Sequence, residues 1–130
     1  MREIKFRGKR LDNGEWLYGS LVILNGRYFI FDDANRHEVD PTTVGEFTGL
    51  KDKNGKEIYE GDVIRSPLSE DKTRPHRIFY HTGNAAFMRA LIDRKELCYL
   101  RLDQDWIYKF GKEVIGNIHD NLELLKGGEQ

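Results

Sequence analysis

Four pairs of Asn and Gly punctuate this sequence: Asn13-Gly14, Asn25-Gly26, Asn54-Gly55 and the reversed Gly83-Asn84. Both residue types tolerate the positive φ that tight primed turns need to match the twist of the strands they join. Between the pairs lie short runs rich in aromatic and branched residues, about one per dozen residues, the spacing of an all-β chain.

The first runs can be paired residue by residue. From Glu3 to Leu11, Ile4 and Phe6 alternate with Lys5, Arg7 and Lys9, the period of a half-buried strand. A two-residue loop at Asn13-Gly14 predicts Leu11 opposite Trp16, Lys9 opposite Tyr18, Arg7 opposite Ser20 and Phe6 opposite Leu21. A second at Asn25-Gly26 predicts Ile23 opposite Tyr28 and Leu21 opposite Ile30. One face of this meander then carries Ile4, Phe6, Leu17, Leu21, Ile23, Tyr28 and Ile30. The other carries Lys5, Arg7, Lys9, Trp16, Tyr18, Phe29 and Phe31. Four aromatics are more than a solvated face normally shows, so this second face is expected to be covered in part, by the rest of the chain or by a partner.

Beyond the meander, Asp32 to Asp40 is acidic and polar and reads as a connection ending at Pro41, and Thr43 to Phe47 reads as a short strand. Thr48 to Asp62 is rich in turn residues and leads into a strand at Val63-Ile64-Arg65. Ser66 to Pro75 reads as a polar loop. Arg77 to Thr82 and Ala85 to Ile92 form a predicted hairpin around Gly83-Asn84, with Tyr80 facing Phe87 and Phe79 facing Met88. Leu97 to Leu102, Trp106 to Phe110 and Glu113 to Ile118 read as three further strands. One helix is expected, from Asn121 to Lys126, with Asp120 as its cap and Glu123 completing a capping box. Gly127-Gly128 ends it.

Charge enters the argument locally. Over 130 residues, 21 Lys and Arg stand against 22 Asp and Glu, a net of −1, which excludes a globally basic nucleic-acid-binding domain. Within the first ten residues, however, Arg2, Lys5, Arg7, Lys9 and Arg10 face Glu3 alone, a net of +4. Cations interleaved with Trp16 and Tyr18 are what single-stranded nucleic acid or an acidic protein surface would engage. The plainer account has Lys9 stacking on Tyr18 and edge-strand charges blocking aggregation. A single cysteine, Cys98, has no internal partner; inside an apolar run it is expected to be a buried, inert thiol in a reducing compartment. No run approaches the ~18 apolar residues that span a membrane, and the charged start MREIKFRGKR is no signal peptide. The expectation is a soluble, cytoplasmic, globular protein.

Catalytic and metal-binding patterns fit poorly. Gly49, Gly55 and Lys56 superficially resemble a phosphate loop, but the glycines are one residue too far apart and Glu57 stands where a hydroxyl would hold magnesium. Asp52, Asn54, Glu57, Glu60 and Asp62 suggest a calcium loop, yet Lys56 and Glu57 occupy positions that need a ligand and a glycine. His76 and His81 are five apart, an odd offset that puts them on opposite faces of a strand. His37 and His119 add no ligand pair. Nothing resembles a nucleophile elbow, and carboxylate pairs such as Asp32-Asp33 or Glu60 with Asp62 need no explanation among 22 acidic residues. No catalytic residue, cofactor or metal is expected.

Three blocks carry a resemblance to a known family. They are the opening MREIKFRGKR with GEWLYG over 14–19, the central FTGLKDKNGKEIYEGDVI over 47–64, and EVIGNIHDNLELL over 113–125. In this order they resemble the YopX family of phage and prophage proteins. The resemblance implies a mainly β chain: an N-terminal β-meander over 1–47, an SH3-like barrel over 48–126 with a short C-terminal helix, and a tail at 127–130. It also implies a phage or prophage origin in bacteria and supplies no catalytic or binding residue. The central block has a structural reading, in which Gly49, Gly55 and Gly61 provide turns while Leu50, Ile58, Tyr59 and Val63 pack inward.

The expected function is that of a non-enzymatic accessory protein that binds another macromolecule. The groove between the Ser66–Pro75 loop and the Gly83-Asn84 tip is one place for a partner, by fold analogy. Two further possibilities are nucleic-acid binding through Lys5, Arg7, Lys9, Arg10, Trp16 and Tyr18, and self-association through the second aromatic face.

Overall fold

A computed structural model describes residues 2–66, 75–92 and 99–121. The chain divides into two compact units, Met1–Gly49 and Leu50–Gln130. Its strands are β1 (Phe6–Lys9), β2 (Trp16–Leu24), β3 (Arg27–Phe31), β4 (Arg36–Val39), β5 (Gly45–Lys51), β6 (Glu57–Tyr59), β7 (Asp62–Arg65), β8 (His76–His81), β9 (Ala86–Leu91), β10 (Tyr99–Arg101) and β11 (Glu113–Asn117). One α-helix, α1 (Gln104–Lys109), interrupts them. Two antiparallel sheets result, ordered β4-β3-β2-β1-β5-β6 and β10-β9-β8-β7-β11. Neither closes into a barrel, the form expected for 48–126.

In the first unit, the Asn25-Gly26 turn sets Leu21 opposite Ile30 and Ile23 opposite Tyr28, as expected. Both turn residues have positive φ, 52° and 76°, which is what the primed turn demands. The first hairpin differs. Arg10 N–H donates to the Glu15 carbonyl at 2.9 Å, so the loop is Leu11 to Gly14, four residues instead of two. Arg7 therefore faces Tyr18 and Lys9 faces Trp16, two residues out of the expected register. An even slip keeps every side chain on its assigned face. Asp32 to Asp40, read as a connection, contains β4, which pairs with β3. An isolated bridge from Arg10 to Val39 brings the end of β4 back to the end of β1. Ile30 and Val39 are the buried apolar centre of this unit. Gly8 faces them, and a Cβ there would stand 3.0 Å from a Val39 methyl carbon.

In the second unit, Tyr80 faces Phe87 and Phe79 faces Met88, as expected. Trp106 to Phe110, expected as a strand, is helical. Asp103 caps α1, its Oδ1 accepting from the Trp106 N–H at 2.8 Å. Asp105 lies in the first turn and Lys109 in the last, both favourable to the helix dipole. Gly111, at φ 60°, ends the helix as the Lys112 N–H returns to the Ile107 carbonyl. The helix brings Ile107 into a core with Ile58, Ile64, Ile78 and Leu102.

Two buried carboxylates hold the Thr48-to-Asp62 block. Asp52, 1% exposed, accepts at Oδ1 from the Asn54 and Lys56 N–H groups, at 2.8 and 2.9 Å. Its Oδ2 accepts from Val114 N–H on β11 at 3.0 Å. Asp62 accepts from Tyr59 N–H at 2.8 Å. Ile58, Tyr59 and Val63 are buried, and Leu50 packs partly buried against the core. The expected helix at 121–126 lies outside the described residues from 122 on. Cys98 and residues 67–74 of the Ser66–Pro75 loop also lie outside the described residues.

Candidate functional site

Residues directly opposite in an antiparallel pair share a face. The register therefore places Lys9 beside Trp16, Arg7 beside Tyr18, and Phe31 beside both Ser20 and Arg36 on one surface of the first unit. Phe29 joins them, between Val22 and Glu38. The turn between β4 and β5 fixes Lys9 from the backbone: its N–H donates to Thr43 Oγ1 at 2.9 Å and its carbonyl accepts from Asp40 N–H at 2.8 Å.

Five of the six residues singled out in the sequence gather here, but their cations already lie on rings. The Arg7 guanidinium carbon is 4.7 Å from the centre of the Trp16 ring, and Lys9 Nζ is 5.6 Å from it. Arg7 is 5% exposed, so this part of the face is covered. Lys5 Nζ lies 5.4 Å from the Phe47 ring and 3.4 Å from a Glu3 carboxylate oxygen. Tyr18, by contrast, is 49% exposed. Lys9 stacks on Trp16, which the two-residue slip makes its cross-strand neighbour.

Arg10 does not belong to the surface. One residue beyond Lys9, it alternates to the other side and holds Asp12 in a two-point hydrogen bond at 2.9 and 2.7 Å. That guanidinium holds the Asp12 carboxyl below the usual carboxylate range. In its place, two arginines missed by the sequence reading enter from β3 and β4. Arg27 and Arg36 lie 5.4 and 5.3 Å from the Phe29 ring. Arg27 also pairs with Glu38 at 2.6 Å. The alternation of β3 itself puts Arg27 on the face of Phe29 and Phe31, and recognising β4 would have added Arg36 and Glu38.

The second unit holds a comparable cluster that the sequence reading did not anticipate. The Arg89 guanidinium carbon is 3.7 Å from the Trp106 ring centre and Lys112 Nζ is 4.8 Å from it. His76 meets the same ring edge-on at 5.4 Å. Arg89 Nη1 lies 3.2 Å from His76 Nε2. Arginine only donates, so this nitrogen is the imidazole's acceptor. Asp103 before and Gly111 after Trp106 were the helix signals that would have revealed the cluster.

Three of the residues weighed for metal or catalysis, Asp52, Asp62 and His81, hold backbone amides. Asp52 and Asp62 bind amides as described, and His81 Nδ1 accepts from Asn84 N–H at 3.1 Å. Among the described residues no group of three His, Cys, Asp or Glu is placed to hold a metal ion. No helix among them is long and apolar enough to cross a membrane.

The three sequence blocks and the fold can now be set against known proteins. A model of the YopX protein family matches residues 5–126. The chain belongs to the YopX family. It is also similar to protein EF1440 from Enterococcus faecalis, known from a crystal structure, at 28% identity and a TM-score of 0.63. That similarity covers 96% of this chain and 99% of the other. No curated protein matches it. YopX membership thus extends over both units.

Proposed function

We propose that this YopX protein is a non-enzymatic accessory protein of phage or prophage, working in the cytoplasm of a bacterial host by binding another macromolecule. Its working surface is the aromatic and cationic face of the Met1–Gly49 unit. One observation carries this reading: Tyr18 and Phe31 stay 49% and 36% exposed on the same face as Arg27 and Arg36. Rings this exposed on a face with guanidiniums are typical of surfaces that bind, since contact with a partner buries both. The engagement of Asp52, Asp62 and His81 with backbone amides supports binding over catalysis. The likeness of 48–126 to an SH3-type barrel belongs to the same proposal, supported by five short antiparallel strands in one sheet.

A photo-crosslinking side chain installed at Tyr18, with a control at the exposed Tyr108, tests the assignment in lysogenic or infected cells. Adducts are expected to form several-fold more from Tyr18. Equal yields from both positions would reject this face as the working surface.

A further inference from the structure

Resting on that reading of the face, we infer that its occupant is single-stranded nucleic acid, with bases on Tyr18 and Phe31 and phosphates on Arg36 and Arg27. Tyr18 and Phe31 sit on adjacent strands. Phe31 is directly opposite Ser20, two residues along β2 from Tyr18. Such diagonal neighbours lie about 7–8 Å apart. A sheet presenting separate rings at this spacing can stack successive bases, one per ring, as sheet-based RNA-binding modules do.

The charges are arranged to match. Arg36 is the direct cross-strand neighbour of Phe31, so one ring and one guanidinium stand side by side, as a base and its phosphate require. Phe29 lies 5.3 and 5.4 Å from the Arg36 and Arg27 guanidinium carbons, so both cations stand over one ring of this face, Arg27 shared with Glu38. Within the paired strands β1 to β4 this face carries Arg7, Lys9, Arg27 and Arg36 against Glu38 alone. The net charge of −1 for the whole chain conceals this local excess. A duplex keeps its base faces stacked away from such rings. An acidic polypeptide would meet the cations and leave the rings uncovered.

Fluorescence anisotropy with a labelled oligothymidylate, across a salt series, tests the inference. Heparin serves as a polyanion without bases, and a duplex of equal length as a second control. The oligothymidylate should bind more tightly than the duplex and weaken as salt rises. Tyr18→Ala and Phe31→Ala should each weaken it on the order of 10-fold, with heparin binding unchanged. Tyr18→Phe, which keeps the ring, should bind like the parent protein. Arg36→Ala should weaken both polymers and lower the salt slope for the single strand by about 0.7. Thermal unfolding of each variant establishes that it is folded. Equal binding of the oligothymidylate and heparin, insensitive to either ring, overturns the nucleic-acid assignment and leaves the surface intact. Binding of neither polymer at low salt also overturns the nucleic-acid assignment, while the working surface stands or falls with the Tyr18 crosslinks.

Discussion

Each unit of this YopX protein places one tryptophan beside one arginine and one lysine, yet the two settings are built differently. Trp16 takes Arg7 and Lys9 from a single neighbouring strand, two residues apart and facing it across the ladder. Trp106 rides on a helix and takes Arg89 from β9 and Lys112 from beyond its own C-terminus. Lys112 is 1% exposed and Arg7 5%, but the face around Trp16 opens beyond Arg7 towards Tyr18 and Phe31. The same pair of contacts thus serves a surface in one unit and holds a helix onto a core in the other. A cation over a ring contributes about 0.5–1 kcal/mol when exposed and about 2 when desolvated, so the setting decides its weight.

The largest test removes each ring in turn. Trp106 packs against the Ile58, Ile64, Ile78, Leu102 and Ile107 core, so Trp106→Ala should cost about 3–5 kcal/mol. Trp16→Ala should cost less, about 2 kcal/mol, chiefly the lost contact with the buried Arg7 guanidinium. Urea unfolding measures both, the remaining tryptophan reporting in each variant. Similar losses would break the contrast between surface and core.

A smaller effect sharpens the comparison of hairpins. The first unit places Gly26 at the end of its tight turn, whereas the corresponding left-handed position in the second unit is Ala85, at φ 51°. Its side chain crowds the following carbonyl in that conformation. Ala85→Gly should therefore raise stability by about 0.5–1 kcal/mol. A lowered unfolding midpoint would refute the strain.

The smallest change is expected at the Arg27–Glu38 pair on the aromatic face. The Arg27 hydrogen bond holds the Glu38 carboxyl below its usual range. A carboxylate whose folded value is depressed contributes stability at neutral pH and loses it as pH falls through that value. The pair is solvent-screened, so Glu38→Gln should leave the thermal midpoint at pH 7 nearly unchanged. What difference there is should shrink as pH falls and protonation removes the carboxylate. A midpoint loss that grows towards acid would contradict the sign.

How much of this was legible follows from which contacts are local. Asn25-Gly26 and Gly83-Asn84 announced their hairpins because two to four residues decide a turn. The faces survived the register error at Asn13-Gly14 because strand alternation has period two and the slip was even. Trp106 to Phe110 misled because alternating aromatics imitate a strand, while the Asp103 cap and the Gly111 stop carry less visual weight than three rings. Arg89 and Lys112 could not be connected to Trp106 before its helix was known. Arg36 was hidden by reading an acidic stretch as a loop. For Asp52 the residue was noticed, but its partner Val114 is 62 residues away and no spacing rule reaches that far.

That long reach bears on the order of folding during synthesis. The pairings among β1 to β4 close within the first 39 residues of the chain. The Asp52 turn, by contrast, retains an unfilled acceptor until Val114 has left the ribosome. Chains grow from the N-terminus and distant contacts form slowly. The first unit can thus complete its ladder while the second still waits for its last strand.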